Sequence, residues 1–317
     1  MNQDYIKPDN WSIIEEGFDG ESVKSSESLF SIGNGAMGQR ANFEENYSGK
    51  TFQGSYIAGI YYPDKTKVGW WKNGYPEYFA KVLNAPNWIG IDIEINGESL
   101  DLNLCKKVAN FRRELNMKEG WYHRSFEATL QNGTEIAVHI RRFLSLNLDE
   151  LGCINYEITP VNKDAKIIYK PYIDAGVTNE DANWDEKFWE PLEVKKAGNE
   201  AFVTAQTFKT HFKVTTFMQN TILENGKKTA ISPANIDTTT DKIQFSYDVL
   251  VPQGQKSSIQ KLGGYTVSLN HTNTVSAAEK VIKEALSIGY DQLLQNQIDA
   301  WAKIWEMSDI TIEGDVK

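Results

Sequence analysis

Four histidines, two cysteines and one glycine-rich hexapeptide are the residues from which chemistry could be built. His123, His139, His211 and His271 follow neither an H-x3-H nor an H-E-x-x-H spacing, so no zinc site is indicated. Cys105 and Cys153 lie far apart in strand-like contexts and read as buried free thiols, not as a disulfide scaffold or thiolate ligands. Gly33-Asn34-Gly35-Ala36-Met37-Gly38 fits G-x-G-x-x-G, the pattern of loops that cradle phosphates. Its context refuses that role. Gln39-Arg40-Ala41-Asn42-Phe43 has no helical apolar period to present a helix N-terminus, and no kinase-type strand or catalytic loop accompanies it. The glycines are expected to permit a tight turn and close backbone approach. With no G-x-S-x-G elbow and no cysteine near a helix start, the sequence offers no catalytic nucleophile and no metal ligand.

Two segments carry side chains suited to recognition. Asn179 to Trp189 mixes carboxylates, amides and aromatics, the means to hydrogen-bond sugar hydroxyls while stacking on a pyranose; a solvated loop with two aromatics tucked into a sheet fits equally well. Asp181, Asn183 and Asp185 resemble the opening of a calcium loop, but Glu186 and Leu192 stand where Gly and Glu are required. Trp70-Trp71-Lys72-Asn73-Gly74-Tyr75-Pro76-Glu77-Tyr78-Phe79 is a second aromatic stretch with turn residues at its centre, read as an interface loop in preference to core. Asn34, Arg40, Trp70, Trp71, Lys72, Tyr75, Asn179, Asp181, Asn183 and Trp184 are therefore the candidates for a sugar pocket or a domain interface.

The elements that must position them are mostly strands. From about residue 20 to 270, apolar residues alternate with polar ones between turn dipeptides, as half-buried antiparallel strands do. Ile89, Ile91, Ile93 and Ile95 run into Asn96-Gly97, a type I′ hairpin signal; Asn132-Gly133 and Asn225-Gly226 mark further turns, and Ile243, Phe245, Tyr247 and Val249 repeat the alternation. Many strands without intervening helices point to a sandwich. After Asn270 the period becomes helical. Ser276 with Glu279 suggests a capping box, Val281, Ile282, Ala285 and Leu286 form an apolar stripe, and Gly289 suits a helix end. A second helix, capped by Asp291, places Leu294, Ile298, Trp301 and Trp305 on one face, which gives an αα-hairpin over about 275–306. Ser308 to Gly314 alternates like a strand.

Composition narrows the function classes. Of 317 residues, 43 are acidic and 33 basic; the net charge of −10 argues against a nucleic-acid partner. No apolar run reaches the roughly 18 residues of a membrane span, and the first residues lack a signal-peptide pattern, so the expectation is a cytoplasmic protein with no membrane partner. The aromatic complement of 9 Trp, 14 Tyr and 14 Phe suits a β-rich core, a sugar-stacking surface, or both.

Glu27-Ser28-Leu29-Phe30-Ser31-Ile32-Gly33-Asn34-Gly35-Ala36-Met37-Gly38-Gln39-Arg40 resembles the opening signature of glycoside hydrolase family 65, whose members phosphorolyse maltose, kojibiose or trehalose. Tyr56 to Pro63, Leu83 to Trp88, Arg112 to Met117 and Val177 to Asn183 are similar to further family motifs in the same order, and Tyr61 to Trp88 is most similar to the members acting on maltose. Ala41 departs from the Gly found after the Arg in many members. The resemblance implies a mainly β fold: an antiparallel β-supersandwich of the galactose mutarotase type over residues 1–270, then a C-terminal αα-hairpin linker over 271–317, leading to an (α/α)6 catalytic barrel absent from this chain. It implies no cofactor, inorganic phosphate as co-substrate of the full-length enzyme, a disaccharide substrate and a homodimer. The family's catalytic acid and phosphate site belong to the barrel, so no catalytic residue carries over and the chain alone is expected to be inactive. The implied role is a scaffold, dimerisation and pocket-shaping domain; the rivals are a stand-alone carbohydrate-binding module and an aldose mutarotase-like enzyme.

Overall fold

The computed structural model describes residues 5–66, 74, 76–180, 186–312 and 314. It is a mainly β, antiparallel sandwich followed by two helices. The large sheet runs, in spatial order, Ile6–Pro8, Ser12–Glu16, Lys107–Asn116, Trp121–Thr129, Glu135–Leu144, Leu151–Pro160, Ser257–Val267, Lys213–Glu224, Glu200–Thr207 and Trp189–Ala197, with the short strand Lys227–Lys228 attached to Lys213–Glu224. Facing it is a five-stranded sheet in the order Asn235–Thr238, Lys242–Val251, Ala165–Asp174, Ile91–Ile95 and Glu98–Ser99.

The alternation reads out as the sandwich core. Ile91, Ile93 and Ile95, with Ile167, Tyr169, Ile243, Phe245 and Tyr247, are buried from the smaller sheet against Phe126, Ile136, Val138, Ile140, Tyr156 and Ile158 of the larger one. Two of the three Asn-Gly signals form type I′ turns: Asn96 and Gly97 (φ 51 and 82) and Asn225 and Gly226 (φ 48 and 77) occupy both left-handed positions, whereas at Asn132-Gly133 only Gly133 (φ 78) does, in the longer loop between Thr129 and Glu135. Trp88 is fully buried in a slot where a Cβ on Gly152 or Gly263 would meet its ring at 2.3 or 2.7 Å. Both thiols are free; Cys153 is buried as expected but Cys105 is only half-buried, and burial raises both, Cys105 to about 11 and Cys153 further.

The helices cover part of the outer face of the large sheet. Ala278, Val281, Ile282 and Ala285 of α2 (Thr274–Ile288) and Leu293 of α3 (Tyr290–Ser308) pack on Phe143, Leu151, Cys153, Phe202, Phe217 and Leu262, a second core. Several local expectations change. The N-cap of α2 is Asn273, whose Oδ1 accepts from the Ser276 backbone N–H; Ser276 is already in the first turn, and Glu279 pairs instead with Lys195. Gly289 (φ 82) ends α2 and starts α3 by itself, so Asp291 falls inside the first turn, where its charge suits the helix dipole but its side chain caps nothing. Leu294, Ile298, Trp301 and Trp305 are half-buried; the contact line is centred on Leu293 and Gln297, with Gln297 bridging the Leu146 N–H and the Gly120 carbonyl. Residues 309–312 form no strand. Ile310 and Ile312 are 80% and 88% exposed, and without a neighbouring strand an alternating pattern has nothing to pair with.

The third helix was not visible in the sequence. α1 (Val23–Leu29) is short, has no side-chain cap, and buries Val23, Ser26 and Glu27, two of them polar, so its apolar period is too weak to read.

Candidate functional site

Asn34 sits in the tight hairpin between the strands Ile32–Gly33 and Met37–Gln39, and its amide is fully engaged. Nδ2 donates to the carbonyls of Ser145 (2.7 Å) and Asp149 (3.0 Å), and Oδ1 accepts from the N–H groups of Ala36 and Met37. Gly35 supplies the positive φ of the turn (91°), and no helix follows, in keeping with the sequence's refusal of a nucleotide loop. Arg40 is equally committed. Its Nε donates to the Phe52 carbonyl (3.0 Å), Nη1 to Ser28 Oγ (2.5 Å) and Nη2 to the Lys24 carbonyl (3.0 Å), while the guanidinium lies over the Phe52 ring at 5.0 Å. Beneath it the fully buried Glu27 accepts from the Phe52 N–H and from Thr51 Oγ1. Helix α1 and the segment 51–54 are thereby tied together.

Asn179 does the same on the opposite side of that segment. Its Oδ1 accepts from the Asn84 N–H (2.9 Å) and its Nδ2 donates to the Val82 carbonyl (2.9 Å). Asn84, itself buried, accepts from Ser55 N–H and donates to Gln53 and Thr178. Lys24 pairs with Glu180, closing a ring of contacts between α1 and residues 178–180. A polar cleft of about 480 Å3 is lined by Thr51, Phe52, Gln53, Asn84, Asp174 and Glu180 among others; Arg40 and Asn179 do not line it but bond to Phe52 and Asn84, which do. Asn34 is not part of it; it clamps its hairpin to the turn at 145–149. Trp70, Trp71, Lys72, Tyr75, Asp181, Asn183 and Trp184 lie outside the described residues.

The hairpin Tyr61–Lys65 and Tyr78–Val82, which flanks residues 66–77, is anchored by a buried ion pair, Lys81 with Asp64 at 2.7 Å, and by Tyr62 against Phe188. Its other face leaves Tyr61, Tyr78 and Val82 exposed.

A charge network invisible in the sequence holds residues 40–45. Arg113, Arg124 and Arg142 project from three adjacent strands into the interior. Arg124 forks onto Glu45 (2.6 and 2.5 Å) and reaches Glu44 (2.9 Å); Glu44 also takes Arg142 (2.9 Å), which donates onward to the carbonyls of Asn42 and Arg40. Phe43 lies under the guanidinium of Arg124 at 4.1 Å. Residues 40–45 are thereby pinned to the sheet by groups about 80–100 positions away in sequence. Glu15, beside Arg113, is pushed above the usual carboxylate range, chiefly by burial.

These bonds hold loops; they do not compose an acid–nucleophile pair. Around the cleft the amides spend their hydrogen bonds on the fold, and Asp174 accepts from the Gly176 N–H. Among the described residues no three His, Cys, Asp or Glu side chains converge to hold a metal, and no helix is long and apolar enough to cross a membrane.

The fold is an antiparallel sandwich with helices docked on one outer face and loops tied down by buried ion pairs. The chain belongs to glycosyl hydrolase family 65, whose N-terminal domain matches residues 13–304. It is 37% identical to the maltose phosphorylase of Bacillus subtilis (strain 168), over 99% of this chain and 41% of that protein, and 27% identical to the alpha,alpha-trehalose phosphorylase of Thermoanaerobacter brockii, over 97% and 41%. A solved structure described as a putative kojibiose phosphorylase from human microbiome superposes with a TM-score of 0.83 at 23% identity, covering 95% of this chain and 39% of that one, which establishes the shared fold. The chain spans about 40% of the length of these curated relatives.

Proposed function

We propose that this chain serves as the N-terminal domain of an inverting disaccharide phosphorylase whose substrate is maltose, and that it acts as scaffold, dimerisation surface and shaper of the sugar pocket. The observation that carries the reading is the 37% identity to maltose phosphorylase across 99% of the chain. The chemistry of such an enzyme explains why a non-catalytic domain suffices here. An inverting glycosidase needs a carboxylic acid to protonate the leaving oxygen and a carboxylate to activate water. Phosphate is already anionic, so a phosphorylase needs the acid and an anion-holding pocket but no second carboxylate. In this reading both belong to an (α/α)6 barrel following the chain, the product is β-glucose 1-phosphate with free glucose, and the compartment is the cytoplasm.

The locked loops support a shaping role, because a wall of a substrate pocket must hold its form without spending catalytic groups. The segments Trp70 to Tyr78 and Asn179 to Trp189 are the parts proposed to face sugar or a partner subunit, apart from Phe188 and Trp189, which are buried in the sandwich. The test compares the 317-residue chain with a polypeptide that joins it to a family 65 barrel. With maltose and phosphate, the chain alone is expected to release no glucose 1-phosphate, and the joined protein to release the β anomer from maltose faster than from trehalose or kojibiose. Turnover by the chain alone, or preference for another disaccharide, overturns the proposal.

A further inference from the structure

The half of the outer sheet face left open by α2 and α3 carries polar side chains whose hydrogen-bonding capacity, unlike that of the cleft, is unspent. Strand register places them in one row: Glu114 opposite His123, His123 opposite Arg141, Arg141 opposite Asn155, Asn155 opposite Gln260. His139 lies diagonally next to His123, their rings stacked at 5.8 Å and 25°. Trp121 flanks the row, with the Arg141 guanidinium 5.3 Å from its ring centre.

Arg141 differs from the other arginines of the sheet. Arg112, Arg113, Arg124 and Arg142 each have a carboxylate partner, whereas no described carboxylate pairs with Arg141; its Nε, like those of Arg113, Arg124 and Arg142, is buried without a hydrogen-bond partner. The hydroxyl of Tyr290, at the start of α3 and within electrostatic reach of Arg141, is likewise buried and unpartnered. Among the described residues the amides of Asn155 and Gln260 make no side-chain hydrogen bond either. Of the carboxylates bordering the row, Glu114 is occupied by Arg112 and Ser12, Glu157 by Lys256 and Glu119 by the Trp121 indole N–H, while Glu127, diagonal to His139, has no described ion-pair partner. What remains is a row of donors around an uncompensated guanidinium, in a chain whose net charge is −10.

We infer that this row is a binding site for a phosphate-type oxyanion, either inorganic phosphate or the phosphoryl group of a sugar phosphate, held by Arg141 with His123, His139 and Asn155. A planar guanidinium forks onto such oxygens, and the imidazoles and amides add neutral donors at a strand spacing of about 4.8 Å, close enough for one tetrahedral anion to touch two or three of them. Burial, with His139 and Arg141 adding repulsion, holds the His123 imidazole down to about 4, so near neutral pH it is an uncharged donor. A bound anion favours its protonated form. By linkage, affinity rises as pH falls. The groups facing His123 are Arg112 and Glu114 on one side, His139 and Arg141 on the other, with Glu157, Lys256 and Tyr290 beyond them. The inference stands apart from the proposed phosphorolysis, since it concerns this chain alone.

Histidine-ring 1H–13C spectra of the 317-residue protein, recorded during titration with inorganic phosphate, glucose 1-phosphate, maltose or chloride at constant ionic strength, decide it. Saturable shifts at His123 and His139 are expected with phosphate or glucose 1-phosphate but not with maltose or chloride, and the His123 pKa should rise by about one unit, a roughly tenfold linkage. Response to phosphate alone identifies the free anion; a tighter response to glucose 1-phosphate identifies the sugar ester. Arg141→Gln should weaken binding at least tenfold, and Asn155→Ala several-fold if the former does not fold. No saturable shift, an equal response to maltose, or binding unchanged in these variants overturns the site.

Discussion

Arg124 and Arg113 are neighbours across one strand pair, both fully buried, yet they stand in opposite energetic positions. Both terminal nitrogens of Arg124 are paired with Glu44 and Glu45 while its Nε has no partner, so removing it strands two carboxylates, of which Glu44 alone keeps an ion pair, with Arg142. Arg113 has only Glu15 at 3.5 Å and leaves all three guanidinium nitrogens without hydrogen bonds, while Glu15 can escape by protonation because burial already raises its pKa. Breaking a buried pair by removing one partner costs about 3–5 kcal/mol, whereas replacing both members of a poorly satisfied pair by apolar side chains is near neutral or stabilising. Urea unfolding should therefore show Arg124→Met destabilised by about 3–5 kcal/mol and the double variant Glu15→Leu with Arg113→Met by less than about 1 kcal/mol. Equal losses would show that the 3.5 Å contact is worth as much as the forked one. None of this was legible in the sequence. No local pattern marks Glu44 and Glu45 as buried, and the inward turn of Arg113, Arg124 and Arg142 depends on strand register across distant segments. The resemblance to family 65 did single out Asn34, Arg40 and Asn179, and their side chains turn out to hold backbone in place.

The elements divide by how far their signals are local. Strands with two-residue turns were readable because Asn-Gly at 96–97 and 225–226 fixes register within a few residues. The helical hairpin was readable in kind but misplaced at its start, because Ser276 and Glu279 mimic a capping box three residues inside the helix, and in its buried face by one residue. That displacement is measurable. Asn273 supplies a side-chain oxygen to the Ser276 N–H, a bond that Ala at 276 preserves and Ala at 273 removes. Asn273→Ala should lower stability by about 1 kcal/mol, within the 0.5–2 range of N-cap losses, and Ser276→Ala should stay within about 0.5 kcal/mol of wild type, both read from thermal or urea unfolding. The reverse order would return the cap to Ser276. Helix α1 shows the limit of local signals: its role is to carry Glu27 beneath residues 51–52, and a polar buried face has no period to recognise.

At the scale of the whole molecule, acid should act on stability through a few groups whose proton affinity changes on folding. His123 takes up a proton near 6.5 when unfolded but only at about 4 when folded, because burial, His139 and Arg141 oppose the imidazolium. As pH falls from 6.5 to 4 the unfolded chain therefore binds the proton first, and stability present above 6.5 drains away by an amount on the order of 2–3 kcal/mol, levelling off below 4. Glu15, Asp92 and Glu200 work in the opposite sense. Burial raises each of them, so the folded state gains protons first and their ionisation penalty is relieved as pH falls through the same region. The wild-type curve is the sum of both trends, and its slope alone cannot apportion them. His123→Gln separates the two: it keeps a polar side chain on the outer face and removes one titration. In phosphate-free buffer, the stability lost between pH 7 and pH 4.5 should be smaller in His123→Gln than in wild type by about 2 kcal/mol, whatever the offset between the two proteins at pH 7. Parallel curves would mean that the imidazole is solvated as freely in the folded sheet as in the unfolded chain, a result at odds with its half-buried place between Trp121, Arg141 and His139.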